Sequence, residues 1–492
     1  MEVSSVGIDV ILDHDHKEPP RCAHGPTLLF EKSVKQRGSQ RYFSCSAFRD
    51  RKLCNFYQPE ERKVSKEVAA FREEHYKAIG PKYSHEEFYQ RLQQVTQYIS
   101  TDRVFCKTCS LLLLKDEVKE HKVSHNIQEN ITDLSLKCFP TSLLDPIENN
   151  KSYAQYLFSR ETVKFTVKML QDLGYTKVLC IGAPRIHEAI ISESLPDTVN
   201  MKSLLLDLDH RYEQFFGPQQ FCWYNMFNHH FLDGAVAQKL YESFLASESS
   251  KIAIVTDPPY GGRVEVLAHT LKKINETWQN KDTSKDIPIF WFFPYFMEPR
   301  LLESLPRLTM LDYRVNYDNH DQFSSGEKGR KQGSPVRIFT NVSPDRVVLP
   351  EPNYRFCPIC KRYVAVDNLH CDFCDSCTSK DGRTYVHCFK CQRCVKPSRV
   401  HCDKCGHCEF QDHKCGKVRT EGCHICGDLD HKRHNCPNKS GIINRNKRKL
   451  PTSDISSNTS SNKKQRRMRS RKQKFKGHQS KGNRRNPKIN IS

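Results

Sequence analysis

The tetrapeptide Asp257-Pro258-Pro259-Tyr260 closes an apolar run, Lys251-Ile-Ala-Ile-Val-Thr256, whose β-branched residues read as a buried strand. An acid, two prolines and an aromatic ring at the carboxyl end of a parallel strand suit in-plane chemistry on an exocyclic amine. The Asp257 carboxylate and the Pro258 carbonyl can each accept a hydrogen bond from an –NH2 group and so orient its lone pair. Tyr260 offers a face on which a base can stack. Proline fits because its fixed φ holds the backbone and its missing N–H leaves no competing donor. In isolation the same four residues describe an ordinary turn, so the elements around them decide.

From about 150 to 345 the chain alternates apolar runs with amphipathic stretches, the pattern of an α/β domain with a parallel sheet. Helices are expected over Glu161–Leu173, Ala235–Leu245 and Val264–Trp278. Strands are expected at 177–181, 203–207, 220–224, 251–256, 287–293, 310–315 and 336–341, about seven in all and mostly parallel. In such a sheet a ligand sits beyond the carboxyl ends of the strands. Gly182 ends the first strand and permits close backbone approach. Asp207 ends the second, placed for ribose hydroxyls. Asn225 and Met226 end the third, where an amide and a soft side chain can border an adenine; Asp257 ends the fourth. No G-x-G-x-x-G loop is present, which argues against a dinucleotide and fits a cofactor without phosphate.

The motif Asp257-Pro-Pro-Tyr260 resembles the (Asp/Asn)-Pro-Pro-(Tyr/Phe/Trp) signature of S-adenosylmethionine-dependent amino-methyltransferases. Gln155-Tyr156-Leu157-Phe158 resembles the Gln-Tyr element that caps the cofactor pocket in some N6-adenine methyltransferases. Together with Asp257-Pro-Pro-Tyr-Gly-Gly262, Tyr224-Asn-Met-Phe-Asn-His-His-Phe231 and the order of cysteine modules, the chain resembles the CCHC-zinc-finger rRNA N6-adenosine methyltransferases along nearly its whole length. The resemblance implies a Rossmann-like class I fold, S-adenosyl-L-methionine as methyl donor, and an adenosine of large-subunit, 28S-type rRNA as substrate. It also implies that Asp257 and the Pro258 carbonyl orient N6, that Pro259 shapes the loop and that Tyr260 stacks on the adenine. The first turn, Gly182-Ala-Pro-Arg185, is less acidic and less glycine-rich than is usual in that class, and Arg185 is expected to hold the methionine carboxylate instead. His229 and His230 lack a matching cysteine pair and read as structural or substrate-facing.

The 23 cysteines fall in clusters, with only Cys138, Cys180 and Cys222 outside them, and paired cysteines interleaved with histidines indicate zinc in a reducing compartment. Residues 20–60 carry Cys22, His24, Cys45 and Cys54 and resemble a GRF-type finger. Its aromatic residues lie among cations, a composition suited to single-stranded nucleic acid. Residues 61–100 read as a charged helical linker. Residues 101–130 hold Cys106, Cys109, His121 and His125, a C2H2 pattern in which the two histidines stand one helical turn apart. The array at 352–416 repeats itself. Cys357, Cys360, His370, Cys371, Cys374 and Cys377 are followed, after His387 and Cys388, by Cys391, Cys394, His401, Cys402, Cys405 and Cys408, then His413 and Cys415. These ligands suffice for three or four ions, with the pairing left open. The second copy resembles the cysteine-rich domain of DHHC palmitoyltransferases, but Lys414 replaces the second histidine and no membrane helix flanks it, so it reads as a scaffold. Cys423, Cys426, His431 and Cys436, within 420–438, have the spacing of a CCHC knuckle, a module that binds unpaired bases.

Of the net charge of +21, 16 charges lie in 440–492, where 17 lysines and arginines face the single acid Asp454. A polycationic, disordered tail of this kind points to nucleic acid or nuclear import. The expectations are a nuclear, nucleolar residence with the cytoplasm as the alternative, a monomer, rRNA as partner in structured and single-stranded segments, and no membrane association. Ribosome-assembly or RNA-helicase partners are left open. Two rival functions stand beside the enzyme: a non-catalytic RNA-binding scaffold, and a methyltransferase for DNA or for protein glutamine, since the motif serves several amines.

Overall fold

The computed structural model describes residues 6–415 apart from 15, 17, 35–37, 49–50, 79, 147–155, 193, 196–197, 199, 247–250, 280–285, 320–332 and 414. Gln155, the knuckle ligands Cys423, Cys426, His431 and Cys436, and the basic tail lie outside the described residues.

The central domain is built on one mixed sheet of eight strands. In chain order they are β1 (Lys177–Ile181), β2 (Lys202–Asp207), β3 (Phe221–Asn225), β4 (His230–Phe231), β5 (Ile252–Thr256), β6 (Ile289–Pro294), β7 (Thr309–Leu311) and β8 (Val336–Thr340). Across the sheet the order is β4-β3-β2-β1-β5-β6-β8-β7. The five strands β3, β2, β1, β5 and β6 are mutually parallel, and β8 runs antiparallel to both of its neighbours. The expectation of about seven strands is exceeded by the two-residue β4, which folds back on β3 with Asn225 opposite His230. The expected strand over 310–315 is cut to three residues. Asp312 leaves the ladder because its carboxylate accepts from Ala365 N and Asn368 Nδ2, both at 2.8 Å, in the cysteine-rich segment.

Side-chain alternation divides the core in two. Val178 and Cys180 of β1 join Ala253, Val255, Phe290 and Phe292 on one face, whereas Leu179 and Ile181 join Ile252, Ile254, Trp291 and Phe293 on the other. Helices α1 (Arg160–Asp172) and α2 (Pro184–Ile191) cover the first face; α3 (Ala235–Leu245), α4 (Val264–Gln279) and α5 (Glu298–Ser304) cover the second. The Ser159 hydroxyl accepts from Thr162 N and starts α1, so helix and strand boundaries follow local chemistry as well as burial.

Each N-terminal module packs on a different face. Leu29, Phe43, Ala47 and Phe56 of the first finger belong to the core under α3 and α4, while Phe105 and Leu112 of the second belong to the core under α1 and α2. The first finger is a four-stranded antiparallel sheet of Val6–Ile11, Leu28–Val34, Gly38–Ser44 and Tyr57–Pro59. The linker forms helices at Lys66–Ala78 and His85–Thr96, the latter opened by a capping box between Ser84 and Glu87. Beyond the sheet, four short hairpins between Tyr354 and Phe410 carry the cysteine array.

Candidate active site

Because β2, β1 and β5 are parallel and in register, Asp207, Gly182 and Asp257 emerge along one edge of the sheet. The chain order reverses between β1 and β5, so the crevice at this edge opens where ligands enter such sheets. Gly182 adopts φ +64°, and its amide donates to Leu206 O at 3.0 Å. A Cβ there would lie 3.0 Å from Met226 Cε and 3.1 Å from the Asp257 carbonyl, so only glycine keeps this turn open. The Asp257 amide donates to Ile181 O at 3.1 Å, pinning the start of the Asp-Pro-Pro-Tyr loop to the end of β1. Burial raises the Asp207 carboxyl to about 7, against the hydrogen bonds it accepts from the Asp209 and Leu208 amides.

Beside Asp257 the side chains are aromatic. The Tyr317 hydroxyl donates to both Asp257 oxygens at 3.3 and 3.4 Å, and the Tyr260 hydroxyl donates to Tyr317 at 2.5 Å. Tyr156 stacks on Tyr260 with ring centroids 6.3 Å apart, and Phe158 packs against Tyr317 and Phe292. Desolvation holds the Asp257 carboxyl well above the usual carboxylate range, with the Tyr317 hydroxyl pulling the other way. The arrangement presents a carboxylate edge beside an aromatic face, the geometry a planar amine needs.

Tyr156, Leu157 and Phe158 are brought to this wall by a bridge between Phe158 and Tyr317 and by Leu157 O, which accepts from Asp318 N at 2.9 Å. Arg185 lies close by, yet its guanidinium donates to Asp318 Oδ2 at 2.7 Å and Phe158 O at 3.3 Å. In this state it braces the cap rather than facing the pocket with a free fork.

Asn225 departs from its expected place at the pocket. Its side chain is fully buried, and Nδ2 donates to His24 O at 2.8 Å and Ser46 Oγ at 2.9 Å, while Oδ1 accepts from Phe227 N. The amide fastens the first finger and has no donor left for an adenine. Met226, beside Gly182, does border the crevice. The two neighbouring histidines are structural: His229 Nδ1 lies 2.7 Å from the Tyr224 hydroxyl and burial lowers its pKa to about 4, while His230 Nε2 accepts from Arg21 at 3.0 Å. Tyr317 was not singled out in the sequence. It follows a short strand in Tyr313-Arg-Val-Asn-Tyr317, and no motif marks it.

The cysteines and histidines assemble as tetrads with one ligand atom from each residue. Cys22, His24, Cys45 and Cys54 form one, and Cys106, Cys109, His121 and His125 another, with the ligand atoms of each set within 4.8 Å of one another. The open pairing of the C-terminal array resolves into a chain of interlocked sets. Cys357, Cys360, His370 and Cys377 are followed by Cys371, Cys374, His387 and Cys394, then by Cys388, Cys391, His401 and Cys408. Cys402 and Cys405 meet His413 and Cys415, with Sγ–Sγ and Sγ–Nε2 separations of 3.4 and 3.3 Å. Each Cys-x2-Cys pair thus borrows its histidine and last thiol from further along the chain. Three thiolates with one imidazole, or two of each in the Cys106 set, are donor sets for tetrahedral zinc. Among the described residues no helix is long and apolar enough to cross a membrane.

A family model described as "Probable N6-adenine methyltransferase" matches residues 149–330. The chain is 48% identical over 443 residues to the rRNA N(6)-adenosine-methyltransferase ZCCHC4 of Homo sapiens, covering 88% of this chain and 86% of that protein. The proteins of the same name from Mus musculus and Xenopus tropicalis are 47% and 46% identical, again over 88% of this chain and over 85% and 90% of their own lengths.

Proposed function

We infer that this chain, which belongs to the family of rRNA N6-adenosine methyltransferases, transfers a methyl group to N6 of an adenosine in large-subunit, 28S-type rRNA. The observation that carries the reading is the position of Asp257: at the carboxyl end of β5, beside the open turn at Gly182 and facing an aromatic wall.

The sheet fits the class I methyltransferase pattern once β4 is set aside, and its crevice suits S-adenosyl-L-methionine. Gly182 leaves room for a ligand to approach the backbone, Asp207 offers a carboxyl group for ribose hydroxyls, and Met226 supplies an apolar border. When bound, that cofactor supplies an electrophilic methyl group on a sulfonium. The chain's own part is orientation. Asp257 and the Pro258 carbonyl accept from the two N6 hydrogens, which turns the nitrogen lone pair out of conjugation with the ring, and Tyr260 supports the base. No strong base is needed, because the nitrogen becomes acidic once methylated. Zinc in the tetrads would cross-link segments too polar to build their own core.

An intact carboxylate edge, aromatic wall and open glycine turn argue against a decayed, non-catalytic scaffold. The CCHC spacing and basic tail favour RNA over DNA or protein glutamine, and the basic clusters Lys447-Arg-Lys449 and Lys463-Lys-Gln-Arg-Arg467 support nuclear, nucleolar residence. The deciding measurement is mass spectrometry of nucleosides from purified rRNA incubated with the protein and isotopically labelled donor. Label in N6-methyladenosine supports the reading; label only in another nucleoside, or none, overturns it.

A further inference from the structure

Four consecutive residues, Asn225-Met226-Phe227-Asn228, touch three things that the sequence gives no reason to connect. The two asparagines reach the first finger. Asn225 Nδ2 and Asn228 Nδ2 both donate to His24 O, at 2.8 and 3.2 Å, and Asn228 also donates to Pro26 O at 2.7 Å. The residue whose carbonyl takes both amides is itself one of the four candidate metal ligands. Met226 reaches the donor-side turn, its Cε only 3.0 Å from where a Cβ on Gly182 would stand. Phe227 reaches the catalytic loop, its Cε1 equally close to the Cβ position of Gly262.

The grip on the finger is tight on the other strand as well. Gly25, at φ +91°, has no room for a side chain because His230 Cδ2 would lie 2.3 Å from its Cβ, and Arg21 donates to the same imidazole. Past the segment, a groove lined by Phe30, Ala47, Phe227, Pro259 and Gly262 separates finger from loop, and Arg263 spans the two by donating to Ile8 O at 2.8 Å. The backbone at His24 is held by a two-residue ladder, Arg21–Cys22 against Gly25–Pro26, too short to keep its shape without a cross-link.

We propose that the first finger is a positioning element of the methyl-transfer site: through Asn225 and Asn228 it sets the places of Met226 and Phe227, and so the affinity for the methyl donor. The proposal rests on the methyltransferase reading and extends it, since it makes a finger expected to touch RNA a determinant of donor binding with no RNA present. Asn225, with its whole amide paired, transmits position because every alternative placement leaves buried polar groups unpaired, whereas Asn228 holds by Nδ2 alone, its Oδ1 having no partner among the described residues. Asn225 is accordingly a positioning residue rather than a contact to adenine.

The experiment is calorimetry of the full chain with S-adenosylhomocysteine, without RNA, on the wild type, N225D and N228A, with zinc content measured on each sample. N225D replaces the donor to His24 O by an acceptor of the same shape; N228A removes the second grip without altering the Met226 and Phe227 side chains themselves. Expected is a Kd about tenfold weaker for N225D and about threefold weaker for N228A, with zinc content unchanged. A merely structural role lowers the number of binding sites and leaves Kd alone. If N225D fails to fold, N228A decides. An unaltered Kd in every variant that folds and keeps its zinc overturns the proposal. A wild type that binds no S-adenosylhomocysteine overturns instead the methyltransferase reading on which it stands.

Discussion

The two walls of the crevice are fastened in different ways. The wall at the ends of β2 and β3 is tied to the two N-terminal cysteine–histidine modules by buried, fully paired amides: Asn225 to the first, and Gln214, at the end of the turn His210–Gln214 that follows β2, to Ser110 and Leu112 of the second. The wall opposite, made by Tyr156, Tyr260 and Tyr317, is held by ring packing and a relay of hydroxyls that ends on Asp257. Paired amides in a core have one satisfactory arrangement, whereas stacked rings slide at little cost and a hydroxyl rotates to suit its partner. On the proposed reading the firm wall borders the donor, which must be held in one pose, and Tyr260 and Tyr317 of the yielding wall border a nucleobase that has to enter, with Tyr156 left to cap the donor.

The largest effect expected is on the yielding side. Asp257→Ala should lower methyl transfer by at least about 10³-fold, as for loss of a group that orients and polarises the reacting atom, while rRNA affinity in a filter-binding or mobility assay stays within about twofold. Turnover near that of the wild type would remove Asp257 from the chemistry and with it the contrast between the walls.

On the firm side, Gln214→Ala should cost about 2–4 kcal/mol of stability. Gln214 is 3% exposed; Oε1 accepts from Leu112 N at 2.9 Å, and Nε2 donates to Ser110 O at 2.8 Å and Arg211 O at 2.9 Å. Truncation strands the buried Leu112 amide, at about 1–3 kcal/mol, while the part-buried Ser110 and Arg211 carbonyls, which water can reach, add about 1 kcal/mol between them. A urea titration of the full chain with zinc present measures it. A loss under about 0.5 kcal/mol would mean that water replaces the amide freely, and this wall would then be no firmer than the other.

How much of this was readable in the sequence follows the same division. The strands came through because β-branched runs bounded by turns report burial directly: the expected helix over Ala235–Leu245 is found at those residues, and β1 and β5 fall within one residue of expectation. The Asp-Pro-Pro-Tyr loop and Gly182 were legible because their chemistry is carried by residue type. Asn225 was not, since an amide at a strand end looks the same whether it meets a ligand or a finger 201 residues away. Tyr317 was missed because a tyrosine after a short strand has the signature of core, and its meeting with Asp257 is set by the sheet order. The cysteine–histidine tetrads show the complementary limit: the residues that spacing singles out are the ones that gather in the described tetrads, but the interlocked pairing in 357–415 depends on hairpin geometry.

The smallest effect, and the finest probe of the yielding wall, is Tyr317→Phe. Burial raises the Asp257 carboxyl well above its ordinary range, and the Tyr317 hydroxyl, by donating to the charged form, opposes that rise. The folded chain therefore holds this proton at pH values where the unfolded chain has released it. Its contribution to stability is complete below the unfolded value of about 3.9 and is lost as pH rises through the folded one. Activity has the opposite sign, because the ionised carboxylate is the stronger acceptor for the N6 hydrogen that Asp257 takes, so methyl transfer should climb through an acid limb that lies above the usual carboxylate range. Removing the hydroxyl takes away a hydrogen bond that favours the charged form and pushes the limb to still higher pH. On the alkaline plateau, where the carboxylate is ionised in both proteins, the rates should agree within about threefold. The measurement is kcat against pH at saturating donor and RNA for both proteins. A limb that stays put, or moves to lower pH, would show that Tyr317 is only packing against Asp257, and the hydroxyl relay would have no part in setting its charge.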